Sequence, residues 1–590
     1  MKKNNLTLKE TFALALENYR KKNYSLTENM CNKILSIDSN HFDSLVLLSN
    51  IFAVRRNFQK AKELLIKANE IKPNNLSVLN NLGTAYKELG DIKKAVSFYE
   101  KVIRFNPNHT NAQFNLGVAF YNLRELKKAI NFFKKTIEIQ PNYAQAFVNL
   151  ANVHVELKEY ENAVSNYQKA IEVNPKIVGA HNNLGLVFRE LNDYENAINC
   201  YQNAIKIKID HAGAHHNLAL ALKELGKFDK AIISHETAIK YEPENLSHYY
   251  YLSELKKNIL DNNLKSKIEK IIKKNNSKKI NVAYGNFLLS KYEKKAKNYD
   301  KELNYLIKGH QNYFDSKIEK FKLGIKYCFD DVLQISKGAK VEKVNEKNDN
   351  KIKPIFIVGV PRCGSTLVEK IIGSGSKFVP MGEETAILEN FFNSKILEKQ
   401  SLSLGTASDV RAELSNLYKQ KGLILKKYDY RFTDKSLNNF FYLELIKDIF
   451  PDAKIINCKR DTLSSIMSIF QNNITELAWV HDLDNIFKYF NNYFEIVKNY
   501  NEIYPQHIYE LQYEQLINNP VEETKKLMKF CELPWDKGCL EFYKRKDLIS
   551  RTASNVQIRN AIYKDSLEKY LPYKELFTAY SKKYSWFNYK

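Results

Sequence analysis

Pro354-Ile-Phe-Ile-Val-Gly-Val-Pro-Arg-Cys-Gly-Ser-Thr-Leu367 decides how the C-terminal part of this chain folds. Ile355 to Val358 form a short apolar, β-branched run, the composition of a buried parallel strand. A turn with Gly359, Pro361 and Gly364 follows, and Thr366-Leu-Val-Glu-Lys-Ile-Ile372 reads as an amphipathic helix. Strand, glycine turn and helix together aim backbone N–H groups and a helix N-terminus at an anion. Gly359 to Gly364, followed by Ser365-Thr366, fits the G-x-x-x-x-G-K-[ST] phosphate loop with its lysine missing. A triphosphatase needs that lysine to reach the outer phosphates, so Ser365 argues against ATP or GTP hydrolysis. The cysteine-phosphatase loop C-x5-R fails too, because Glu369 stands where its arginine belongs. Arg362 at the rim can fork onto a terminal oxyanion group. A strand-helix turn with no ligand would leave the glycine and hydroxyl spacing without a reason.

Outward from the loop, residues 352–590 alternate apolar strands with helices. Lys454-Ile-Ile-Asn-Cys-Lys-Arg460 has the pattern of a second buried strand, and His507-Ile-Tyr-Glu-Leu-Gln-Tyr513 of a third. A βαβα order with parallel crossovers implies an α/β parallel sheet covered by helices on both faces. Residues 246–351 read as a helical connector, with a hairpin around 281–307 and a helix from Ser316 to Leu333. It ends in a charged linker, 340–351.

Toward the N-terminus, residues 42–245 repeat with a period of 34. Leu48, Leu82, Leu116, Leu150, Leu184 and Leu218 share one register position, each followed by Ser, Gly or Ala. Ala61, Ala95, Ala129, Ala163, Ala197 and Ala231 share a second. Small residues let antiparallel helices approach, and Pro73, Pro107, Pro141, Pro175 and Pro243 close units where helices end. These are six tetratricopeptide repeats in an all-α solenoid. Residues 1–41 read as a degenerate N-terminal helical cap. Asn81, Asn115, Asn149, Asn183 and Asn217 precede the Leu-small pairs. They are either a ladder that hydrogen-bonds an extended peptide in the groove or solvated surface polarity. His181, His215 and His216, close to this row, read as surface or groove residues.

At 590 residues the chain exceeds a single core, and its apolar content suits folded domains. The formal charge of +24 would suit nucleic acid, but lysine is spread throughout and no nucleic-acid motif accompanies it. No specific nucleic-acid partner is therefore expected. A basic surface does favour anionic ligands. No apolar run is long enough for a membrane span, no signal peptide opens the chain, and seven cysteines without paired spacing suggest reduced thiols. A cytoplasmic location is the expectation, with no metal site.

Pro361-Arg-Cys-Gly-Ser-Thr-Leu367, followed by Gly382-Glu-Glu-Thr385, resembles the sulfotransferase superfamily. It is most similar there to tyrosylprotein sulfotransferases and to bacterial sulfotransferases carrying tetratricopeptide repeats. The resemblance implies a sulfuryl donor, PAPS (3′-phosphoadenosine 5′-phosphosulfate), with PAP as product. Arg362, Cys363, Gly364, Ser365, Thr366 and Leu367 would hold its 5′ group. Cys363 replaces the family's usual serine, either as a tolerated change or as a redox-sensitive thiol at a helix N-terminus. Arg460 and Ser468 match the pair that holds the 3′-phosphate, Tyr513 in Tyr513-Glu-Gln-Leu516 a nucleotide contact, and Ser554 and Lys569 further donor contacts. Glu384 corresponds to the base that deprotonates the acceptor, with Glu383 left open by a one-residue difference in spacing. Lys435, in Thr-Asp-Lys-Ser, matches the lysine that reaches the transferring oxygens. The implied partner is a protein or peptide acceptor recruited by the repeat groove, with a glycan or small molecule left open, as is homo-oligomerisation. A repeat-based scaffold with a relic nucleotide domain is the alternative, and a P-loop kinase is disfavoured by Ser365.

Overall fold

The computed structural model describes residues 7–274, 277–342, 352–399, 402–425, 430–545, 557–562 and 570–588. The chain forms two compact units, Met1–Leu218 and Ala219–Lys590, with the division inside helix Ala212–Glu224.

In the first unit, antiparallel helix pairs follow one another from Leu8–Arg20 and Tyr24–Ile37 to Val178–Glu190 and Tyr194–Ile207. The small register positions are spaces for rings. A methyl group on Gly83 would come within 2.5 Å of the Tyr99 ring, and one on Gly117 within 2.5 Å of Phe133. Gly185 stands in the same relation to Tyr201. The turn inside each pair needs one left-handed residue. Arg56, Gly90, Arg124, Lys158, Asn192 and Gly226 supply it, with φ between +58° and +89°. Lys22, at φ +62°, lies 34 residues before Arg56, so the N-terminal cap keeps the repeat register. Thr27 is buried there in place of the recurrent alanine.

The asparagine row is partly spent within the unit. Asn81, Asn115, Asn183 and Asn217 donate their amides to Asn50, Asn80, Asn152 and Asn182 of the preceding repeats, at 3.2, 3.1, 3.3 and 2.9 Å. His181 corrects a sequence expectation, because it is buried rather than at the surface. Its Nε2 lies 2.9 Å from the Pro175 carbonyl oxygen, and His215 makes the same 2.9 Å contact to Ile209. Gln113 donates to the Pro107 carbonyl oxygen from that register position, so these residues satisfy an inter-helix carbonyl.

The second unit is built on a four-stranded parallel sheet: β1 (Lys353–Gly359), β2 (Arg431–Asp434), β3 (Lys454–Lys459) and β4 (Ile508–Gln512). The order across the sheet is β2-β1-β3-β4. β2 is a fully buried strand that its polar sequence did not announce. Because the chain leaves β1 toward β2 and later returns to its other side as β3, the connections diverge between β1 and β3. In open parallel sheets ligands bind at the carboxyl ends of strands at such a point. Helices Leu246–Leu255, Lys279–Lys295 and Tyr299–Asp315 share a continuous apolar core with the sheet. The linker expectation is corrected at its start: Lys340–Glu342 is a strand paired in parallel with Ser403–Thr406. Residues 343–351 lie outside the described residues.

Candidate functional site

The loop after β1 turns through backbone conformations that few sequences tolerate. Arg362 sits at φ +69°, and Gly364 at φ +99° caps helix Ser365–Gly373. A methyl group on Gly364 would lie 2.4 Å from the Tyr513 ring, so glycine is needed for both space and backbone geometry. The loop thus presents the start of a helix, with its unsatisfied N–H groups, at the carboxyl edge of the sheet.

Residues far apart in sequence converge on this loop. Arg362 Nε donates to Ser468 Oγ at 3.0 Å, and Arg460 donates to the Arg362 carbonyl oxygen at 3.0 Å. The Arg460 guanidinium stands 5.0 Å from the centre of the Tyr513 ring. Arg362, Gly364, Leu367, Arg460 and Tyr513 line one cleft open to solvent. Its remaining wall is Ile517, Phe542, Ile558, Asn560, Ala561 and Ile562, which sequence reasoning missed. Scattered residues of this kind carry no motif, so only their placement identifies them. Ser554 and Lys569 lie outside the described residues.

Cys363 points away from solvent, beneath the loop. It is buried against Cys458 of β3, and both are free thiols. A hydrogen bond from Cys458, opposed by burial, lowers the Cys363 thiol, while Cys458 is pushed up.

A second cluster forms at the end of β2, the strand beside β1. Lys435 and Glu383 extend the parallel pairing as a single bridge. Glu384 N–H donates to the Lys435 carbonyl oxygen at 3.0 Å, and Lys435 N–H to that of Gly382 at 2.9 Å. Glu384, at φ +52°, meets Lys435 Nζ with its carboxylate at 2.7 Å. Glu383 lies deeper, 3.6 Å from Lys370 Nζ and 3.9 Å from Lys435 Nζ. The Glu384 side chain is 34% exposed and that of Glu383 10%. Burial works against the Lys435 ammonium, but Glu384, Glu383 and Glu369 outweigh it and hold its pKa above the ordinary value.

Among the described residues, three carboxylates, of Glu369, Glu383 and Glu384, lie against two ammonium groups, of Lys370 and Lys435. Glu369 is the deepest of the three. It is buried beside Lys370, accepts a 2.7 Å hydrogen bond from Thr433, and is pushed up to about 7 by burial. Beneath the cluster, Asp434 accepts hydrogen bonds from Tyr418, Ser436, Asn439 and Thr385 at 2.6, 2.7, 3.0 and 3.0 Å. Those bonds fix the polypeptide on both sides of the Glu384–Lys435 pair.

Residues 354–537 match the sulfotransferase family model. Residues 77–109, 110–143, 151–190, 185–226 and 212–245 match tetratricopeptide repeat models. Residues 354–537 are a sulfotransferase-family domain. Protein-tyrosine sulfotransferase of Drosophila melanogaster is 26% identical over 196 residues, 32% of this chain and 39% of that protein. Protein-tyrosine sulfotransferase A of Caenorhabditis elegans is 25% identical over 198 residues, 32% of this chain and 52% of that protein. An uncharacterized protein of Aquifex aeolicus is 30% identical over 309 residues, 50% of this chain and 40% of its own length. The chain therefore spans about half or less of the length of these curated relatives. Among solved structures, MamA is 26% identical, with a TM-score of 0.27, over 28% of this chain and 95% of its own. No helix among the described residues is long and apolar enough to cross a membrane.

Proposed function

We propose that the chain is a PAPS-dependent sulfotransferase acting on an acceptor hydroxyl, with a protein or peptide as acceptor and the repeats as its recruiting surface. The observation that carries this reading is the convergence of Arg362, Arg460 and Tyr513 on one cleft at the β1–β3 divergence, with Ser468 hydrogen-bonded to Arg362. The cleft fits a doubly anionic nucleotide: two guanidinium groups and a helix N-terminus stand along an apolar wall, with glycine where a side chain would close it. The loop residues 362–367 would hold the 5′ end of the donor, and Arg460 with Ser468 its 3′-phosphate. Tyr513 would contact the nucleotide, and the donor would supply the sulfuryl group.

The acceptor side rests on Glu384. A tyrosine hydroxyl, with a pKa of about 10, needs a base to lose its proton during attack. The greater exposure of Glu384 supports it in that role over Glu383, which is held between two lysines. Lys435 and Arg362 are the cations available to oxygens that gain charge, at little reorganisation cost because both are already positioned. Glu383 keeps Lys435 partnered when Glu384 turns toward an acceptor. Residues 352–590 with the helices of 246–339 form the proposed catalytic part, and the free cysteines suit a reducing, cytoplasmic setting.

Isothermal titration with PAP on the full chain and on Arg460→Ala tests the reading. Micromolar binding lost in the variant is expected. A folded wild type that does not bind PAP would sink it and leave the repeats as the working part.

A further inference from the structure

The cleft wall formed by residues 557–562 has an anchor outside the cleft. Ile558, Asn560, Ala561 and Ile562 line the cleft, whereas the intervening Arg559 reaches the turn between helices Ala212–Glu224 and Phe228–Tyr241. That turn belongs to the repeat matched at 212–245. Arg559 Nη2 donates to the Glu224 carbonyl oxygen at 3.1 Å, and its guanidinium carbon stands 5.9 Å from the centre of the Phe228 ring. A helix C-terminus has unsatisfied carbonyls and a negative dipole end, which a guanidinium complements. The aromatic face adds a cation–π contact.

Gly226 makes room for this contact. At φ +72°, its missing methyl group would lie 2.4 Å from Arg559 Cζ and 2.6 Å from Nη1. Gly90 occupies the same register position with φ +89°, and a methyl group there would meet nothing within 4 Å. Elsewhere the position holds Arg56, Arg124, Lys158 or Asn192, so the turn itself accepts a side chain. Only a neighbour explains why Gly226 must have none.

We propose that Arg559 is a positioning residue for the donor site, fastening the 557–562 wall of the cleft to the turn of the last repeat. This rests on the sulfotransferase reading and adds a structural link from that repeat to donor affinity. A wall that loses its anchor must be ordered by the nucleotide itself, so the penalty falls on donor binding rather than on chemistry with the donor in place.

The test is titration of PAP into the full-length chain carrying Arg559→Ala, Gly226→Ala or Gly90→Ala, with donor KM and kcat measured in parallel. Arg559→Ala and Gly226→Ala are expected to weaken PAP by about tenfold and raise donor KM to match, with kcat at saturating donor retained. Gly90→Ala, which imposes the same backbone strain beside open space, is expected to bind PAP as wild type does. Arg559→Lys, which keeps the charge and a donor, should recover part of the loss. Unchanged PAP affinity in both Arg559→Ala and Gly226→Ala would overturn the proposal. If the wild type itself fails to bind PAP, the sulfotransferase reading is what fails. The anchor is then judged by amide hydrogen exchange of 557–562, expected to speed up in Arg559→Ala; no change there overturns it independently.

Discussion

At the scale of single residues, the cluster at the end of β2 separates two adjacent glutamates by environment. Glu384 shares Lys435 and faces outward, whereas Glu383 is shared by two buried ammonium groups. Glu384→Gln is therefore expected to lower kcat by about a hundredfold or more, the usual contribution of a general base, while PAP affinity measured by titration stays near wild type. Glu383→Gln should act differently. It removes the carboxylate held between two buried ammonium groups and breaks both of those contacts, so thermal stability falls together with activity. Equal loss of kcat and no loss of stability in both variants would contradict that division. Gly364→Ala combines left-handed strain with a collision against Tyr513, and titration should show PAP binding lost by more than tenfold, in the range of a distorted binding loop.

At the scale of elements, three repeats close on a glycine packed under an aromatic ring: Gly83 under Tyr99, Gly117 under Phe133 and Gly185 under Tyr201. In an exposed helix a glycine-to-alanine change stabilises by about 1 kcal/mol. At Gly117 the methyl group would instead press into Phe133, and overpacking costs about 1–3 kcal/mol. Gly117→Ala should thus lower the melting temperature, read by circular dichroism; a rise would mean that the ring moves aside freely.

A second element-level device lies where helix Tyr299–Asp315 meets the core. His310 Nε2 lies 2.7 Å from the Phe470 carbonyl oxygen, and His310 Nδ1 lies 3.0 Å from His481 Nδ1. A carbonyl only accepts, so neutral His310 carries its proton on Nε2 and accepts from His481 Nδ1–H. Burial pushes His310 down to about 4 and His481, also facing His310 and Lys317, down to about 2. Both are neutral in the fold, while in the unfolded chain each gains a proton near pH 6.5. Stability is then full above that value and declines as pH falls below it, by about 2 kcal/mol per histidine at pH 5. Melting from pH 7.5 to 5 should show a smaller pH loss in His310→Gln than in wild type.

At the scale of the whole molecule, the formal charge of +24 acts through its field rather than through any single contact. An acidic tyrosine peptide should associate faster than a neutral one at low salt, and the difference should fade between about 50 and 300 mM as the Debye length shortens. Stopped-flow association with both peptides measures this; equal salt dependence would remove charge steering from the acceptor reading.

The amino-acid sequence alone determined the solenoid, because a 34-residue period places Leu, Gly and Ala at contacts made with near neighbours in the chain. It also determined the strand-loop-helix at 354–367, where local backbone demands select glycine and β-branched residues. It marked Arg460, Ser468 and Tyr513 through their resemblance to a family and could not show that they meet. Tertiary structure alone decided the rest. β2 is a strand because neighbours bury it, not because its residues Arg431-Phe-Thr-Asp434 favour one. His181 is inside because a turn carbonyl needs a donor. Glu383 and Glu384 diverge because the chain turns at Glu384, whose φ of +52° ends the extended backbone that pairs Glu383 with Lys435. The apolar wall at 557–562 and its Arg559 anchor depend on contacts more than 300 residues apart, and local sequence carries no periodicity for a contact of that reach.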